Sequence, residues 1–180
     1  ALAGVSGFNL AVDPYDVTGW RALDLHRTRR KADGRRVWVG FEALKPHRTL
    51  LAGDSRISDG FGDAPPPWGG DELNAGLPSG NAFELGRVLV VQARHGVDCV
   101  VLGLDPQDYD QLSRIKGAYW LSPLLDGSPA LATLRMATSR TTFDRSVQTL
   151  EDNAKGRVEL DDWPSAYKPG QQLRMFDESA

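Results

Sequence analysis

The side chains best able to do covalent chemistry lie close together at His95, Asp98 and Cys99. A histidine beside a cysteine can take its proton and leave a thiolate that attacks a substrate. However, Cys99 begins the apolar run of residues 99–104, and a cysteine in a buried strand packs as a small hydrophobic side chain. The sequence therefore favours an inert, buried Cys99 with the ring of His95 directed to water, and it indicates no catalytic residue.

Acidic residues offer a second kind of chemistry, as ligands of a metal ion. A calcium loop needs alternating ligands followed by a glycine and a later glutamate, which the stretch with Asp105, Asp108 and Asp110 lacks. These three aspartates instead fit the N-terminus of a helix, where carboxylates accept from free backbone N–H groups. The acids at 161–162 and in residues 53–86 show no spacing that defines a carboxylate pair. The sequence thus predicts no metal site and no cofactor.

Local motifs for nucleotide binding and for hydrolysis are absent from the sequence. Gly60-Phe61-Gly62 is not followed by the Gly-Lys-Ser/Thr that grips phosphate, and no Gly-x-Gly-x-x-Gly opens a helix. Neither a Gly-x-Ser-x-Gly turn nor a His-Glu-x-x-His zinc helix is found. An enzyme whose site comes together only in the fold stays open as an alternative.

Positive charge is concentrated in one stretch of an otherwise acidic chain. The formal net charge is −3, yet residues 21–50 contain nine lysines and arginines against three acids, a local charge of +6. Arginine predominates, and its planar guanidinium suits bidentate contacts with phosphate or carboxylate. The candidate binding residues are these cations and the aromatic ring that follows them: Arg27, Arg29, Arg30, Lys31, Arg35, Arg36 and Trp38.

This basic cluster supports a functional hypothesis. We expect a non-enzymatic binding or assembly protein whose basic β-hairpin arm, residues 27–36, engages a polyanion, above all nucleic acid, within a larger complex. Trp38 is expected either to stack on a base or to cover one face of the sheet. One alternative is a structural subunit of a multi-protein assembly that docks on an acidic protein surface as a homo- or hetero-oligomer. Another is a solvated turn without a partner.

Alternating apolar residues predict that paired strands dominate the fold. Leu23 and Leu25 before an Ala-Asp-Gly turn at 32–34, and Val37, Val39 and Phe41 after it, occupy alternate positions, which predicts the basic hairpin. A helix over residues 18–31 is the competing interpretation. Further hairpins are predicted where apolar runs flank turn residues, at 87–93 with 99–104 and at 118–125 with 130–137. The runs 87–93 and 99–104 are apolar on both faces, which is typical of central strands.

Two helices and one long loop complete the prediction. Helical spacing and end signals predict one helix over 105–117 and another that starts at Thr141 or Thr142 and ends at Gly156. Residues 53–86 are rich in Gly, Pro and Asp and predict a long acidic loop. The fold class expected is therefore α+β, a mostly antiparallel sheet built from hairpins with two short helices packed on it.

Length and composition indicate how many domains the chain forms and in which cellular compartment it lies. We expect a single domain over residues 1–160 and an extended C-terminal tail over 161–180. No apolar run approaches the roughly 20 residues that span a bilayer, so no membrane association is predicted. The lone cysteine excludes an intramolecular disulfide, and a soluble protein of the cytoplasm is favoured.

Overall fold

The computed structural model describes residues 2–19, 22–25, 32–61, 71–105 and 117–156. Helices α1 (Leu2–Val12) and α2 (Ala32–Glu42) precede strand β1 (Thr49–Gly53), helix α3 (Ser55–Phe61) and strand β2 (Glu72–Gly76). Helix α4 (Ala82–His95) leads into strand β3 (Cys99–Leu102). Two short 3₁₀ turns (Gly117–Leu121 and Pro123–Leu125) and helices α5 (Pro129–Thr138) and α6 (Arg140–Ala154) complete the described chain.

The three strands form one parallel sheet in the order β2-β1-β3. Thr49 of β1 pairs with Glu72 of β2 on one side and with Cys99 of β3 on the other. The predicted antiparallel sheet of hairpins is therefore wrong, and the architecture is of the α/β kind. Because β2 and β3 lie on opposite sides of β1, the carboxyl end of β1 is a topological switch point, where open α/β sheets bind their ligands.

The predicted basic hairpin is wrong because its second strand belongs to helix α2. Val37, Val39 and Ala43 are fully buried, and so are most of the residues between Gly34 and Gly40. Helix α2 buries residues on more than one side, so apolar residues also occupy alternate positions and imitate the period of a strand. The other strand of that hairpin and the competing helix at 18–31 lie partly outside the described residues.

The predicted central strand at 87–93 is also wrong, since these residues belong to helix α4. The Asn81 side chain accepts from the backbone N–H of Glu84 at its N-terminus, and Gly96 ends it with φ of 81°. Within α4, the buried residues Leu85, Val88 and Gln92 recur at helical spacing. The apolar run Val-Leu-Val-Val at 88–91, rich in β-branched residues, hides this spacing.

The apolar run at 99–104 is confirmed as a strand in its first part, but this strand is not buried. β3 covers Cys99–Leu102, with Val100 43% and Leu102 42% exposed. β3 is an edge strand of the described sheet, so its outer side lacks the second neighbour that a central strand has. The prediction of double-sided burial assumed a central position.

The predicted loop at 53–86 is wrong in its described parts, which contain α3, β2 and the start of α4. Residues 62–70 lie outside the described residues. The predicted hairpin at 118–125 with 130–137 is replaced by the 3₁₀ turns and α5, which begins at Pro129 behind the capping Ser128. Short helical elements with apolar residues on two sides are easily confused with strands.

Helix α6 confirms the helical spacing predicted near the end of the described chain. It covers Arg140–Ala154, and Gly156 follows with φ of 60°. Its N-cap is Ser139, whose hydroxyl accepts from the backbone N–H of Thr142, and neither predicted threonine fills that position. The helix predicted over 105–117 and the tail at 161–180 lie outside the described residues, apart from Asp105 and Gly117.

Two buried clusters form the core. The larger joins α2, β1, β2, α4 and the 3₁₀ turns around Leu50, Leu73 and Tyr119, and no residue of β3 belongs to it. The smaller packs Tyr15, Val37 and other apolar side chains against α5. Within the described ranges, no helix combines the length and the apolarity needed to cross a membrane.

Candidate functional site

The predicted site residues divide into two groups. Arg27, Arg29, Arg30 and Lys31 lie outside the described residues. Arg35 and Arg36 lie in helix α2 with only 3% of each residue exposed, so these two arginines do not belong to an exposed tip.

Arg35 reaches from α2 to the outer edge of β2. Its Nε donates to the carbonyl of Gly76 at 2.6 Å and its Nη2 donates to the carbonyl of Asn74 at 2.9 Å. The same guanidinium lies 5.8 Å from the ring centre of Trp38, which is half-buried and packs against the larger core cluster. Arg35 and Trp38 are thus brought together, but as part of the packing between α2 and the sheet.

Arg36 fixes the turn that follows β2. Its Nε pairs with the carboxylate of Glu84 at 3.2 Å, and its Nη2 donates to the carbonyls of Pro78 and Ser79 at 2.8 and 3.0 Å. Glu84 is fully buried, and Ser79 adopts φ of 53°, a left-handed conformation that costs energy for a residue other than glycine. The buried ion pair therefore stabilises a strained turn at the end of β2.

The sequence-predicted cluster of His95 and Cys99 lies at the amino end of the strands. Both side chains are exposed, so the expectation of a buried Cys99 is wrong, because β3 is an edge strand. His47 also lies at this end, before β1, with Nδ1 3.6 Å from the carboxylate of Asp71. The histidines of the described chain are thus at the edge opposite to the switch point.

Glycines end all three strands at the switch-point side, which we call the carboxyl edge (residues 53–56, 76–81 and 103–105). A Cβ atom at Gly53 or Gly103 would overlap the side chain of Ile57, and one at Gly76 would overlap the backbone of Ser58. The absence of side chains lets the first turns of α3 lie directly against the strand ends. The carboxyl edge is therefore shaped by α3, which follows β1 after one residue, Asp54.

Ser55 is the first residue of α3 and lies two residues beyond the end of the central strand. It is half-buried, and its carbonyl accepts from the hydroxyl of Ser58 at 3.1 Å. The Asp54 carboxylate accepts from the backbone N–H of Arg56 at 2.9 Å, which fixes the strand-to-helix turn on both sides of Ser55. Ser55 is thus held at the carboxyl end of the central strand.

Arg56 connects two of the loops at the carboxyl edge. Its Nε lies 3.1 Å from the Asp54 carboxylate, and its Nη2 contacts the carboxylate of Asp105, beyond β3. The Arg56 side chain is 70% exposed, whereas the two carboxylates are 13% and 19% exposed. The carboxyl edge therefore joins a hydroxyl, a guanidinium accessible to solvent and two largely covered carboxylates.

Sequence reasoning missed this site because it placed residues 53–86 in one loop. The signal in the sequence is the apolar Leu50-Leu51-Ala52 followed by Gly-Asp-Ser, with a second apolar run at 99–102 that is also followed by a glycine. That pattern is typical of parallel strands joined by helices.

Comparisons with known proteins add no assignment. No family model matches the chain, and neither a curated protein nor a solved structure matches it. Across the described ranges, no three His, Cys, Asp or Glu side chains lie close enough together to hold a metal ion. The carboxyl edge is therefore the feature of the described chain from which a function can be inferred.

Proposed function

We propose that the protein is an enzyme that hydrolyses or transfers an acyl group, with Ser55 as the nucleophile. The observation that supports this proposal is the position of Ser55, in the strand-to-helix turn directly after the central strand at the switch point of the sheet. Parallel α/β sheets bind their ligands at this position. A serine held in a fixed turn there offers its hydroxyl to a substrate in the crevice.

The neighbours of Ser55 suit the charge changes of acyl transfer. Attack on an ester carbonyl creates an oxyanion, and the exposed Arg56 guanidinium is the described cation next to Ser55 that can stabilise it. The proton of the hydroxyl needs an acceptor, and the carboxylates of Asp54 and Asp105 are the acceptors described in this cluster. The histidines of the described chain lie at the opposite edge and do not serve this role.

Labelling with a fluorophosphonate tests the proposal, because this reagent phosphonylates only serines that are activated as nucleophiles. We expect a covalent adduct on Ser55, located by tandem mass spectrometry, and none on the Ser55→Ala variant. Hydrolysis of p-nitrophenyl acetate should fall by about 10³-fold in kcat/KM for Ser55→Ala. Thr141→Ala, which removes an exposed hydroxyl on α6, is the matched control and should retain both properties. An unlabelled Ser55 with equal hydrolysis by Ser55→Ala would refute the assignment.

Polyanion binding is a second proposal, favoured by the local charge of +6 in residues 21–50. Because Arg35 and Arg36 are buried, the polyanion-binding proposal depends on the remaining predicted cations, Arg27, Arg29, Arg30 and Lys31. If these cations contact phosphates, affinity for duplex DNA should fall as salt rises, with a slope of roughly −3 to −4 in log K against log salt. Replacing all four with alanine should flatten the slope. Equal, weak binding by both proteins at low salt would eliminate this function.

A further inference from the structure

Strand β3 carries large apolar side chains that the described sheet leaves exposed. Val100, Leu102 and Leu104 are 43%, 42% and 53% exposed, and Cys99 on the other face of the strand is exposed too. Alternate residues of a strand point to opposite faces, so β3 is exposed at Val100 and Leu102 on one face and at Cys99 on the other, where Val101 is half-buried. Strands of parallel sheets are ordinarily covered on both faces.

The backbone of β3 is open at the same place. The N–H groups of Cys99 and Gly103 donate to the carbonyls of Arg48 and Ala52, so the odd-numbered residues of β3 face β1. In a parallel ladder the alternate residues then direct their N–H and C=O groups away from the neighbouring strand. Val100 and Leu102 are those residues, and no described residue hydrogen-bonds to these groups. An open edge of this kind is a template for another strand.

We infer that a second copy of this chain pairs with β3, strand against strand, around a two-fold axis at Val101. In this antiparallel register, Val100 lies opposite the partner's Leu102, and the two residues exchange both of their backbone hydrogen bonds. Symmetry repeats the same exchange on the other side of Val101. The two sheets thereby become one continuous sheet, and the inference is independent of the function proposed for the carboxyl edge.

Self-pairing is favoured over a different partner because the edge is complementary to itself. Residues 99–104 contain no charge, so the centre of the paired strands is apolar on both copies. The charges lie at the two ends, with the exposed pair Arg48–Asp98 at the start of β3 and Arg56–Asp105 after its end. An antiparallel arrangement brings the first pair of one copy beside the second pair of the other, so each end contains two cations and two acids. A closed two-fold interface of this type is the commonest in homo-oligomers.

Sedimentation velocity over a range of protein concentrations tests the pairing. We expect a wild-type dimer, whereas Val100→Lys, which places a charge in the centre of the interface, should weaken the dimer by about 100-fold. Leu134→Lys is the matched control, because Leu134 is 58% exposed on α5 and lies outside the β3 edge. A monomer at all concentrations, or a dimer that Val100→Lys leaves unchanged, would overturn the inference.

A disulfide experiment tests the register without depending on a destabilising charge. In a Cys99→Ser background, Val101→Cys places two thiols opposite each other across the two-fold axis, with Cα atoms about 4.5 Å apart, within the range for a disulfide. Mild oxidation should then give a covalent dimer. The native Cys99 lies opposite the partner's Gly103, about 13 Å from its own symmetry mate, and should give none. Covalent dimers through Cys99 but not through position 101 would exclude this register.

Discussion

The rest of the described chain covers one outer edge of the sheet, at β2, and leaves the other edge, at β3, open. At β2, helix α2 covers the edge, and the buried Arg35 donates to the carbonyls of Asn74 and Gly76. The backbone N–H of Gly76 is satisfied by the side chain of Asn74 at 3.0 Å. At β3, the corresponding groups of Val100 and Leu102 have no described partner, and the side chains are over 40% exposed. The β2 edge is thus covered by the buried guanidinium of Arg35, whereas the β3 edge is exposed and apolar.

This difference shows how a buried arginine can terminate a sheet. Sheet edges are commonly protected by charged side chains that point into solvent. Here the cation points inward, and its planar guanidinium supplies two parallel donors to carbonyls that would otherwise be buried without partners. The arrangement excludes a further strand at β2 and leaves β3 as the edge at which the sheet can grow.

The largest expected effect comes from removing the closing arginine. Arg35→Met keeps much of the side-chain volume but leaves the carbonyls of Asn74 and Gly76 buried without their donors. We expect a loss of about 3 kcal/mol in the free energy of unfolding, measured by urea denaturation. The matched change at the other edge, Val100→Thr, should alter the stability of the monomer, measured at protein concentrations too low for pairing, by less than about 0.5 kcal/mol, because the side chain is exposed in the single chain. Equal effects at the two edges would contradict the comparison.

The parts of the fold that could be predicted from the sequence are those with a continuous apolar run or with clear ends. The strand at β3 follows from its apolar run, and α6 follows from Phe143, Val147 and Leu150 at helical spacing with Gly156 behind them. These signals are local. The pairing partner of a strand is not a local property. Because β2 lies within residues 53–86, assigning these residues to a loop removes one of the three strands and with it the parallel topology.

The parts that could not be predicted are buried on nearly all sides or depend on distant partners. The alternating Val37, Val39 and Phe41 of helix α2 imitate a strand, and the burial of Arg36 requires Glu84, which is 48 residues away in the chain. A cluster of arginines is therefore no proof of an exposed surface. The carboxyl edge was missed for the same reason, because Ser55, Arg56 and Asp105 come together only when β1 and β3 lie side by side.

A smaller effect, on the pH dependence of stability, measures how completely the β2 side of the sheet is buried. Tyr119 belongs to the same core cluster as the β2 residues Leu73 and Ala75, and no residue of β3 is in that cluster. Burial raises the pKa of Tyr119 to about 12 from its ordinary value of 10.0, with the nearby Arg87 opposing the rise. Tyr119 therefore stays neutral in the folded protein at pH values where the unfolded chain loses this proton.

The sign of the effect follows from this order of pKa values. Below pH 10 the phenol is neutral in both the folded and the unfolded state, so its ionisation does not affect stability. Between pH 10 and 12 only the unfolded state ionises, so the free energy of unfolding falls as pH rises. At pH 11 the loss should be about 1 kcal/mol in the free energy of unfolding. The difference in unfolding free energy between wild type and Tyr119→Phe, measured by urea denaturation at pH 8 and pH 11, isolates this contribution from other titrating groups. A difference that is the same at both pH values would mean that solvent reaches the phenol, and that the β2 side is as open as the β3 edge.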